Sequence, residues 1–492
     1  MLNAERIRMV IAVLLMACMV FALAGCNGSQ TSDSKSTTSN GSTTAALNYG
    51  DEDFGNDDDD AGDDSVVVTK KVARQGSVAI GDNYEFEKGF DYSNVVDEEA
   101  KNEFVGRIPK NLKGQTVTIM TWWPTLPYEK AKMNNFTKKT GIKIKWLYVD
   151  SKNYMQQLSA LKMQGNAPDI ACITADQYPS AIMSDYFQPI TNGKLNLNDS
   201  MYDKNSMKQL SWNGKEYGVI VKGGSHVTMG LMMFNADMFK KYGVTDPYTL
   251  WKQGKWTWDT MVSTGKEIQK KSNVKAALTG EYQFYRLELT CGEDAVTIKN
   301  GKLVNNTKSK TYRDAYKFAC NLTNKGQYKI ADAGLNRDGF MRGEAAMMVE
   351  ESWALQTGER YENCSFKIGY APLPCKTNKT VVPSDAQLWG FPVGSKHIEA
   401  ASYALEYWMN PKYDEAGTQL WVNESAASFV NWLWEQPKVF KVCEGIINYG
   451  GDYKWADYQN DTLGSPSDVD STMDRWSKII DSNIKKIYKN NK

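Results

Sequence analysis

Apolar positions alternate between the spacing of strands and the spacing of helices from residue 113 onward. The segment Thr116–Thr121 is β-branched and apolar, and 142–149 alternates apolar with polar residues, so both are predicted to be strands. The stretch between them has a helical pattern that ends at Gly141, a residue type favoured just after the last turn of a helix. The chain therefore begins its folded part as strand, helix, strand.

A second helix and a third strand are predicted next. Tyr154, Leu158 and Leu161 share one helical face, and 170–173 is a continuous apolar run. This alternation predicts a parallel sheet with helices on its faces and a ligand crevice at the carboxyl ends of its strands. The pattern recurs later, with strands predicted at 230–234, 345–349 and 365–371 and helices near 260–270 and 312–323. The sequence thus predicts two α/β lobes.

The amino terminus has the pattern of an export signal. Arg6 and Arg8 precede the uncharged apolar run 9–23, which is short for a helix that must cross about 30 Å of hydrocarbon. The residues 23–26, Leu-Ala-Gly-Cys, resemble the lipobox of bacterial lipoproteins. We therefore expect residues 1–25 to be a lipoprotein signal peptide and Cys26 to carry the lipid, on the extracellular face of the cell membrane. The alternative is an uncleaved anchor helix.

An acidic, polar segment follows the lipobox. Residues 27–113 hold 18 acidic and 9 basic side chains, and nine of the acidic ones lie between Asp51 and Asp64. Such a composition cannot bury a core, so 26–113 is predicted to be the lipidated Cys followed by a disordered tether. A calcium loop at the acidic run is the alternative, but the spacing lacks the turn glycine and closing Glu of an EF-hand.

Composition excludes several classes of function. Of the 492 residues, 41% are hydrophobic and 24% charged, which is typical of globular proteins. Residues 114–492 carry a net charge of only +8, too dilute for a nucleic-acid surface, so no nucleic-acid partner is expected. Two histidines in the chain argue against a His-rich metal site, and no metal or cofactor is expected. Six cysteines of the folded part permit up to three disulfides, and the sequence leaves their pairing open, with buried and unpaired as the default: Cys172, Cys291, Cys320, Cys364, Cys375 and Cys443.

Short motifs follow one another in a fixed order between residues 213 and 393. They are NGKEYGVI at 213–220, LMMFNADMF at 231–239 with YGV at 242–244, GKWTWD at 254–259, FMRGEAAMM at 340–348, SWA at 352–354, and YAPLP at 370–374 with LWGFPV at 388–393. In this order, and behind a lipobox, they resemble the family 1 extracellular solute-binding proteins of bacterial ABC importers. The resemblance covers residues 115 to about 425.

The resemblance implies an α/β, two-lobed periplasmic-binding-protein-like fold of type II, which is maltose-binding-protein-like, with the ligand cleft between the lobes. By the family's pattern, residues 114–221 plus 378–420 form the first α/β lobe. Residues 222–377 plus 421–492 form the second. The resemblance further implies a carbohydrate ligand, an ABC importer membrane permease as partner, and a monomer.

Aromatic side chains are the first candidates for the cleft, because a pyranose presents apolar C–H faces to flat rings. The candidates are Trp122, Trp123, Tyr282, Tyr285, Trp353 and Trp389. The four tryptophans lie where predicted strands begin or end, and Trp353 corresponds to the family's stacking tryptophan. Both tyrosines lie in the region that supplies a further aromatic residue in maltose-type members.

Polar candidates lie near the same strand ends. Asp176 and Gln177 follow the third predicted strand, and Lys222 or His226 lies at the first crossover between the lobes. Glu351 precedes Trp353. The adjacent carboxylate at position 350 points to the opposite face of an extended segment, so at most one of the pair can face a ligand.

The expected function is that of a lipid-anchored extracellular substrate-binding protein, which captures a carbohydrate, an oligosaccharide above all, and delivers it to an ABC permease. No catalytic residue is expected, because no nucleophile elbow, P-loop, HExxH or CxxC motif stands out. Two alternatives stay open. They are a cell-surface carbohydrate sensor and an anchored glycan-acting enzyme, whose pair of carboxylates the composition does not exclude.

Overall fold

The computed structural model describes residues 79–86, 97–224, 227–280, 284–299, 301–357, 359–415, 420–463 and 468–490. Its α-helices are α1 Glu98–Gly106, α2 Pro127–Thr140, α3 Tyr154–Met163, α4 Ser180–Met183, α5 Lys204–Gln209, α6 Ala236–Tyr242, α7 Pro247–Lys252, α8 Trp258–Ser272, α9 Tyr285–Leu289, α10 Lys310–Leu322, α11 Asn336–Met341, α12 Ile398–Met409, α13 Glu424–Glu435, α14 Cys443–Tyr449, α15 Trp455–Thr462 and α16 Val469–Asn490. Its strands are β1 Thr116–Thr121, β2 Lys143–Tyr148, β3 Ala171–Ile173, β4 Phe187–Gln188, β5 Val227–Asn235, β6 Ala276–Thr279, β7 Val296–Lys299, β8 Lys302–Asn305, β9 Ala345–Glu351, β10 Ile368–Pro372, β11 Val382–Ala386, β12 Leu388–Pro392 and β13 Lys438–Phe440.

The first β-layer consists of β1, β2, β3, β4 and β12. β1 and β2 are parallel, as the sequence predicts, with Thr116 opposite Lys143. A parallel bridge joins Ile119 of β1 to Ile170 at the start of the third predicted strand. β12 pairs antiparallel with both β3 and β4. The carboxyl ends of β1 and β3 therefore lie side by side, where an α/β sheet places its ligand crevice.

Helix α2 connects β1 to β2 and covers this layer. Its side chains Met133 and Phe136 are buried, and the helix packs against α12. It ends at Gly141, which has φ 73° and closes the helix with an N–H to the carbonyl of Thr137. The positive φ is one that glycine adopts without the steric cost of a side chain, so the predicted end of this helix is confirmed.

The second β-layer runs in the order β13, β11, β5, β9, β6, and β10 also pairs with β5. The alternation of strands and helices predicts a parallel sheet, and for this second layer the prediction is wrong. β6 and β9 are parallel, but β5 is antiparallel to β9, β10 and β11. The connections between these strands are long enough to return the chain in either direction, so the local pattern does not fix the direction.

The chain passes from one layer to the other over a single residue. β11 pairs with β5 and β13 of the second layer, whereas β12, which begins two residues after β11 ends, pairs with β3 and β4 of the first. Gln387 is the residue between them. Strand β11 thus pairs with the second layer, although the predicted first lobe resumes at residue 378.

The segment before residue 114 differs from the expectation of a disordered tether. Residues 79–86 lie against the second layer, where Gly81 donates its N–H to the carbonyl of Ile368 at 2.8 Å and Ser425 Oγ donates to the carbonyl of Tyr84 at 2.6 Å. The ring of Phe86 is 4.5 Å from that of Phe429 and 5.2 Å from that of Trp251, measured between centroids. A short apolar stretch is therefore part of the folded domain.

Helix α1 packs in the same way against the first layer. Phe104 is buried, with its ring centroid 5.0 Å from that of Tyr413 and 5.9 Å from that of Tyr407. Lys101 is fully buried along its stem, and its Nζ donates to Glu98 at 2.8 Å and to the carbonyl of Asp414 at 3.2 Å. The net charge of the whole segment does not predict this helix, because a few apolar residues at helical spacing suffice to pack it against the domain.

No helix among the described residues is both long and apolar enough to cross a lipid bilayer. The predicted signal peptide, Cys26 and the acidic run between Asp51 and Asp64 lie outside the described residues.

The docking of α1 generates a stability prediction. Phe104→Ala removes a buried ring from the Tyr407 and Tyr413 cluster and should lower the free energy of unfolding by about 3–5 kcal/mol. Urea unfolding followed by tryptophan fluorescence measures the change. Glu99→Ala, on the exposed side of the same helix, is the matched control and should change stability by less than about 0.5 kcal/mol. Equal stability of the two variants would mean that α1 is not part of the cooperative fold.

Candidate functional site

A cavity of about 480 Å³ is lined by side chains from both β-layers. The lining residues are Trp122, Ser151, Lys152, Tyr154, Thr174, Ala175, Asp176, Gln177, Thr228, Glu351, Asp385, Ala386, Gln387, Lys441 and Glu444. Four of the predicted site residues are among them: Trp122, Asp176, Gln177 and Glu351. Most of the lining side chains are therefore polar, and the indole of Trp122, which is half-buried, adds an aromatic surface.

The wall from the first layer follows the carboxyl ends of two parallel strands. Trp122 comes directly after β1, and Thr174 to Gln177 come directly after β3. The backbone of β1 and β3 is joined where Met120 donates its N–H to the carbonyl of Ile170 at 2.9 Å. Because the two strands run in the same direction, their ends bring the indole and the Asp176 carboxylate to one side of the layer.

The ring of Trp122 is supported by other aromatic rings. It stacks on Trp389 at 5.9 Å between centroids with 12° between the planes, and it meets Tyr154 edge-on at 5.7 Å. Trp389 is fully buried and packs edge-on against Trp408 at 4.7 Å. Trp122 is only half-buried. Trp389 therefore fixes the orientation of Trp122 from within the core, and the exposed part of Trp122 faces the cavity.

The predicted neighbour Trp123 packs against the same rings. Its centroid lies 4.7 Å from that of Trp122 at an interplanar angle of 85°, and its Nε1 donates to Glu129 Oε2 at 3.3 Å. Of the two adjacent tryptophans, the residue that lines the cavity is Trp122.

The wall from the second layer is made by β5, β9 and β11. Thr228 of β5 lies opposite Asp385 of β11 in the antiparallel register, and Glu351 ends β9. Glu350 is 1% exposed and binds Arg337 instead, at 2.7 and 3.1 Å. The neighbouring carboxylates thus point to opposite sides of β9, as the alternation of side chains along a strand requires.

A buried guanidinium holds this wall together. Arg286 is fully buried, and its Nη2 donates to Asp385 Oδ2 at 2.9 Å and also to Glu351. Its Nη1 donates to the carbonyl of Pro383 at 3.3 Å. Gly230 leaves the space for it, since a Cβ there would stand 3.0 Å from Arg286 Cδ. The ion pairs compensate the cost of burying the charge and fix both carboxylates at the cavity.

The amino-terminal end of α14 completes the wall. Lys441 is 9% exposed, and its Nζ lies 3.3 Å from Asp385 Oδ2 and 2.5 Å from Glu444 Oε2. The backbone N–H groups of Val442 and Cys443 both donate to Asp294 Oδ2 at 2.7 Å. This buried carboxylate thus fixes the start of α14.

Helix α14 also reaches the first layer. A Cβ at Gly445 would stand 2.0 Å from the carbonyl oxygen of Tyr178, so the helix backbone lies directly on the turn after β3. Only glycine permits that approach. It brings Glu444 to the same cavity as Asp176.

Charges in this wall are strongly coupled. Burial raises the pKa of the Asp385 carboxyl, but the charges of Arg286 and Lys441 outweigh burial and hold the pKa below its ordinary value. Burial alone would lower the pKa of Lys441, and the carboxylate of Asp385 raises it well above its ordinary range. Burial raises the pKa of Glu444, against the opposing charge of Lys441. Asp385 and Lys441 are therefore both ionised at neutral pH.

Three further predicted residues lie outside the lining set. Tyr285 is buried and donates its hydroxyl to Asp385 Oδ2 at 2.9 Å. Trp353 is half-buried on a short 3₁₀ turn, where its Nε1 donates to Glu351 Oε2 at 2.5 Å and Arg337 lies 5.1 Å from its ring centroid. Both residues thus touch the cavity wall through its carboxylates. Trp389 supports Trp122 from the core, as described above.

Lys222 lines a different cavity of about 310 Å³, together with Asp203, Trp434 and Lys438. His226 and Tyr282 lie outside the described residues. The structure therefore brings several of the candidates at strand ends to one cavity. Lys222, which was predicted from its position at a crossover between the lobes, lies at another cavity.

Sequence reasoning missed the carboxylate and ammonium groups of β11 and α14. Asp385, Lys441 and Glu444 are ordinary charged residues in their local sequence, and residues 441–444 lie beyond the motifs. Arg286, next to the predicted Tyr285, was missed as well. The one available signal was the position of Asp385 shortly before LWGFPV, where a strand begins.

The chemistry of this site is that of reversible polar recognition. It offers one indole face, several carboxylate and amide acceptors, and hydroxyl groups at Ser151, Thr174 and Thr228. Among the described residues, no group of three His, Cys, Asp or Glu side chains is arranged to hold a metal ion. Such a wall suits a ligand with many hydroxyl groups and a small apolar face.

Comparison with known families gives one match to a family model. Residues 131–428, more than half of the chain, match the model described as bacterial extracellular solute-binding protein. A search of curated protein sequences finds no match to this chain.

Solved structures of sugar-binding proteins have a similar fold. The cyclic alpha-maltosyl-1,6-maltose binding protein from Arthrobacter globiformis aligns with a TM-score of 0.59 at 12% identity, over 75% of this chain and 99% of its own. The sugar-binding protein MalE from Xanthomonas citri aligns at 0.55 and 16%, over 76% and 98%. An ABC substrate-binding protein from Listeria monocytogenes, in complex with cycloalternan, aligns at 0.54 and 17%, over 74% and 98%. At these identities the likeness establishes the fold, which is the two-lobed, maltose-binding-protein-like α/β fold that the sequence predicts.

The helix that carries Arg286 generates a pH prediction. Glu288 of the same helix is fully buried, and its Oε2 accepts from Tyr312 at 2.7 Å and from Tyr458 at 3.1 Å. Burial raises the pKa of Glu288 to about 7. The group therefore favours the folded state most below its unfolded pKa, and this contribution is lost as pH rises to about 7, by up to about 1.4 kcal/mol per pH unit.

Glu288→Gln should remove this contribution, because the amide keeps the shape and does not titrate. Urea unfolding is measured from about pH 5 to about pH 8, a range that brackets the raised pKa of about 7. The free energy of unfolding of the variant should depend less on pH than that of the parent protein. Glu99→Gln, which is exposed on α1, is the control and should keep the parent slope. An unchanged slope in Glu288→Gln would show that Glu288 is ionised in the folded state throughout this range.

Proposed function

Because this chain belongs to the family of bacterial extracellular solute-binding proteins, we propose that it captures a carbohydrate between its two lobes and delivers it unchanged to the membrane permease of an ABC importer. The observation that supports this most is the cavity lined from both β-layers, with Trp122 on one side and Glu351 and Asp385 on the other. The sugar ligands named for the structurally similar proteins are consistent with this chemistry.

The indole of Trp122 is the stacking platform of the proposed site. Its ring is held by Trp389 and Tyr154, so little conformational entropy is lost when a sugar face packs on it. A pyranose stacked there directs its equatorial hydroxyl groups outward around the ring, toward the polar side chains that line the rest of the cavity. The combination orients the sugar without any group that must react with it.

Binding is proposed to favour the closed arrangement of the lobes. Residues 114–221 and 378–420 form the first lobe and 222–377 and 421–492 the second, with β11 paired to the second layer as described. A ligand shifts an equilibrium between open and closed forms only if its affinity for the two differs. Contacts with Trp122 from the first lobe and Glu351 from the second supply that difference, because both are made only when the lobes approach.

The cellular setting follows from the amino terminus. We propose that residues 1–25 are removed, that Cys26 carries the lipid, and that the chain from residue 27 to about 78 is the free tether at the extracellular face of the membrane. The protein acts as a monomer in this proposal.

The experiment that tests binding against catalysis uses the protein from residue 26 onward and a panel of oligosaccharides. A ligand at 100 times its Kd adds about 2.7 kcal/mol to the folded state, so a thermal-shift screen finds binders. The best binder is then incubated with the protein for hours and analysed by mass spectrometry. Recovery of intact sugar together with a measurable Kd is the expected result. Accumulation of cleaved or modified sugar in excess over protein would support the anchored enzyme instead.

Trp122→Ala should weaken binding of that sugar roughly ten- to a hundredfold, since a stacked aromatic ring contributes on the order of 1–3 kcal/mol. Isothermal titration calorimetry measures the change. Trp146→Ala removes another half-buried tryptophan, which packs on Trp408 at 5.5 Å, and serves as the matched control. If both variants bind like the parent protein, Trp122 does not contact the ligand.

Cys26→Ser should abolish incorporation of labelled fatty acid and release the protein from the membrane fraction. The reason is that the lipid is attached through the thiol of this residue in the proposed lipoprotein. Cys18→Ser, within the predicted signal peptide, is the control and should leave labelling intact. Labelled Cys26→Ser protein would contradict the lipobox interpretation.

A further inference from the structure

Two buried acceptor atoms of the cavity have no donor within the described part of the chain, and its inner cations, Arg286 and Lys441, are already paired with carboxylates. From this we infer that the site selects neutral and amino sugars over anionic ones, such as uronates and sugar phosphates, and that Asp385 determines this selection. The inference rests on the proposed function and specifies its ligand class.

The two oxygens of Asp385 have different surroundings. Oδ2 accepts from Arg286 and from Tyr285, each at 2.9 Å, and Lys441 Nζ lies 3.3 Å from it. Oδ1 is buried and has no hydrogen-bond partner among the described residues. A buried acceptor without a donor is costly unless a ligand supplies one. Since Oδ2 is saturated, the carboxylate is fixed in place and Oδ1 remains for a ligand O–H or N–H.

A second acceptor lies on the wall from the first layer. Gln177 Oε1 is buried and has no hydrogen-bond partner among the described residues, and Gln177 lines the same cavity. The two unsatisfied acceptors therefore come from different β-layers. A ligand with two separated hydroxyl groups can satisfy both at once and so bridge the layers.

The positive charges of the wall do not form an anion site. Arg286 is fully buried by its contacts with Asp385, Glu351 and the carbonyl of Pro383. Lys441 is 9% exposed and binds Asp385 and Glu444. Lys152 is exposed at the rim of the cavity. An anionic ligand would have to displace carboxylates from the two inner cations.

The carboxylates outnumber the cations around the cavity. Four of them line it, from Asp176, Glu351, Asp385 and Glu444, against Lys152 and Lys441, with Arg286 behind the wall. A ligand carboxylate or phosphate would face these groups in a partly desolvated space, where like charges repel more strongly than in water. Hydroxyl and ammonium groups meet acceptors there instead.

Asp385→Asn provides a directional test. The three donors at Oδ2 require an acceptor, so the amide oxygen of the Asn should take that place and its NH₂ group should face the cavity. This converts the free acceptor into a donor and removes one negative charge. We expect the neutral ligand to bind at least tenfold more weakly. We also expect the ratio of neutral to anionic affinity to fall at least tenfold.

The probes are neutral gluco-oligosaccharides, glucosamine oligomers and galacturonate oligomers of matched length, titrated calorimetrically into the protein from residue 26 onward. Neutral or glucosamine oligomers should bind at least tenfold more tightly than the uronates. Gln177→Ala is a second variant, which should weaken the neutral ligand without changing charge. Asp259→Asn, exposed on α8 and absent from the cavity wall, is the control.

Three results would overturn the inference. Uronates that bind as tightly as the neutral oligomers would show that the acceptors do not discriminate against anionic sugars. Normal neutral binding by folded Asp385→Asn and Gln177→Ala would show that neither unsatisfied oxygen meets the ligand. If no sugar of any charge binds while another class of solute does, the proposed carbohydrate function itself fails, and the selection proposed here fails with it.

Discussion

The arrangement of the site depends on the burial of one guanidinium. Arg286 has no exposed surface, so its charge must be compensated within the fold, and the carboxylates of Glu351 and Asp385 do this from two different strands. The same contacts hold both carboxylates in place at the cavity, and the charge of Arg286 helps to keep the pKa of Asp385 below its ordinary value. Removing one partner of such a pair leaves an uncompensated buried charge, which costs several kcal/mol. The ion pairs are therefore as much a constraint on the positions of β9 and β11 as a source of stability.

The contrast between the two walls follows from their construction. The wall from the first layer is built on packed rings, and Trp122 is positioned by Trp389 and Tyr154 through shape alone. The wall from the second layer and α14 is built on charges that satisfy one another. A ligand between them would meet an aromatic face and fixed acceptors, a combination that suits a pyranose with its apolar faces and its rim of hydroxyl groups.

The amino-terminal segment shows how composition and packing can give different answers. Averaged over 27–113, the acidic excess predicts a chain without a core, yet Phe86 and Phe104 are buried against opposite parts of the domain. A handful of apolar side chains outweighs a net charge when the charged residues between them can stay in water. The acidic run itself, between Asp51 and Asp64, contains no comparable group of rings.

The sequence by itself determined where β1 and β3 end and which residues follow them, whereas β9 runs two residues beyond its predicted end at residue 349. The extent of β1 and the end of α2 at Gly141 follow from local periodicity and from the conformational freedom of glycine, so Trp122, Asp176 and Glu351 could be named in advance. Only the tertiary structure decided that Asp385, Lys441 and Glu444 join them. These residues are distant in the chain from Asp176, their local sequence is that of any solvated surface, and strand direction in the second layer is set by long-range pairing. Long-range contacts, and not local pattern, determine which charges must compensate one another inside a fold.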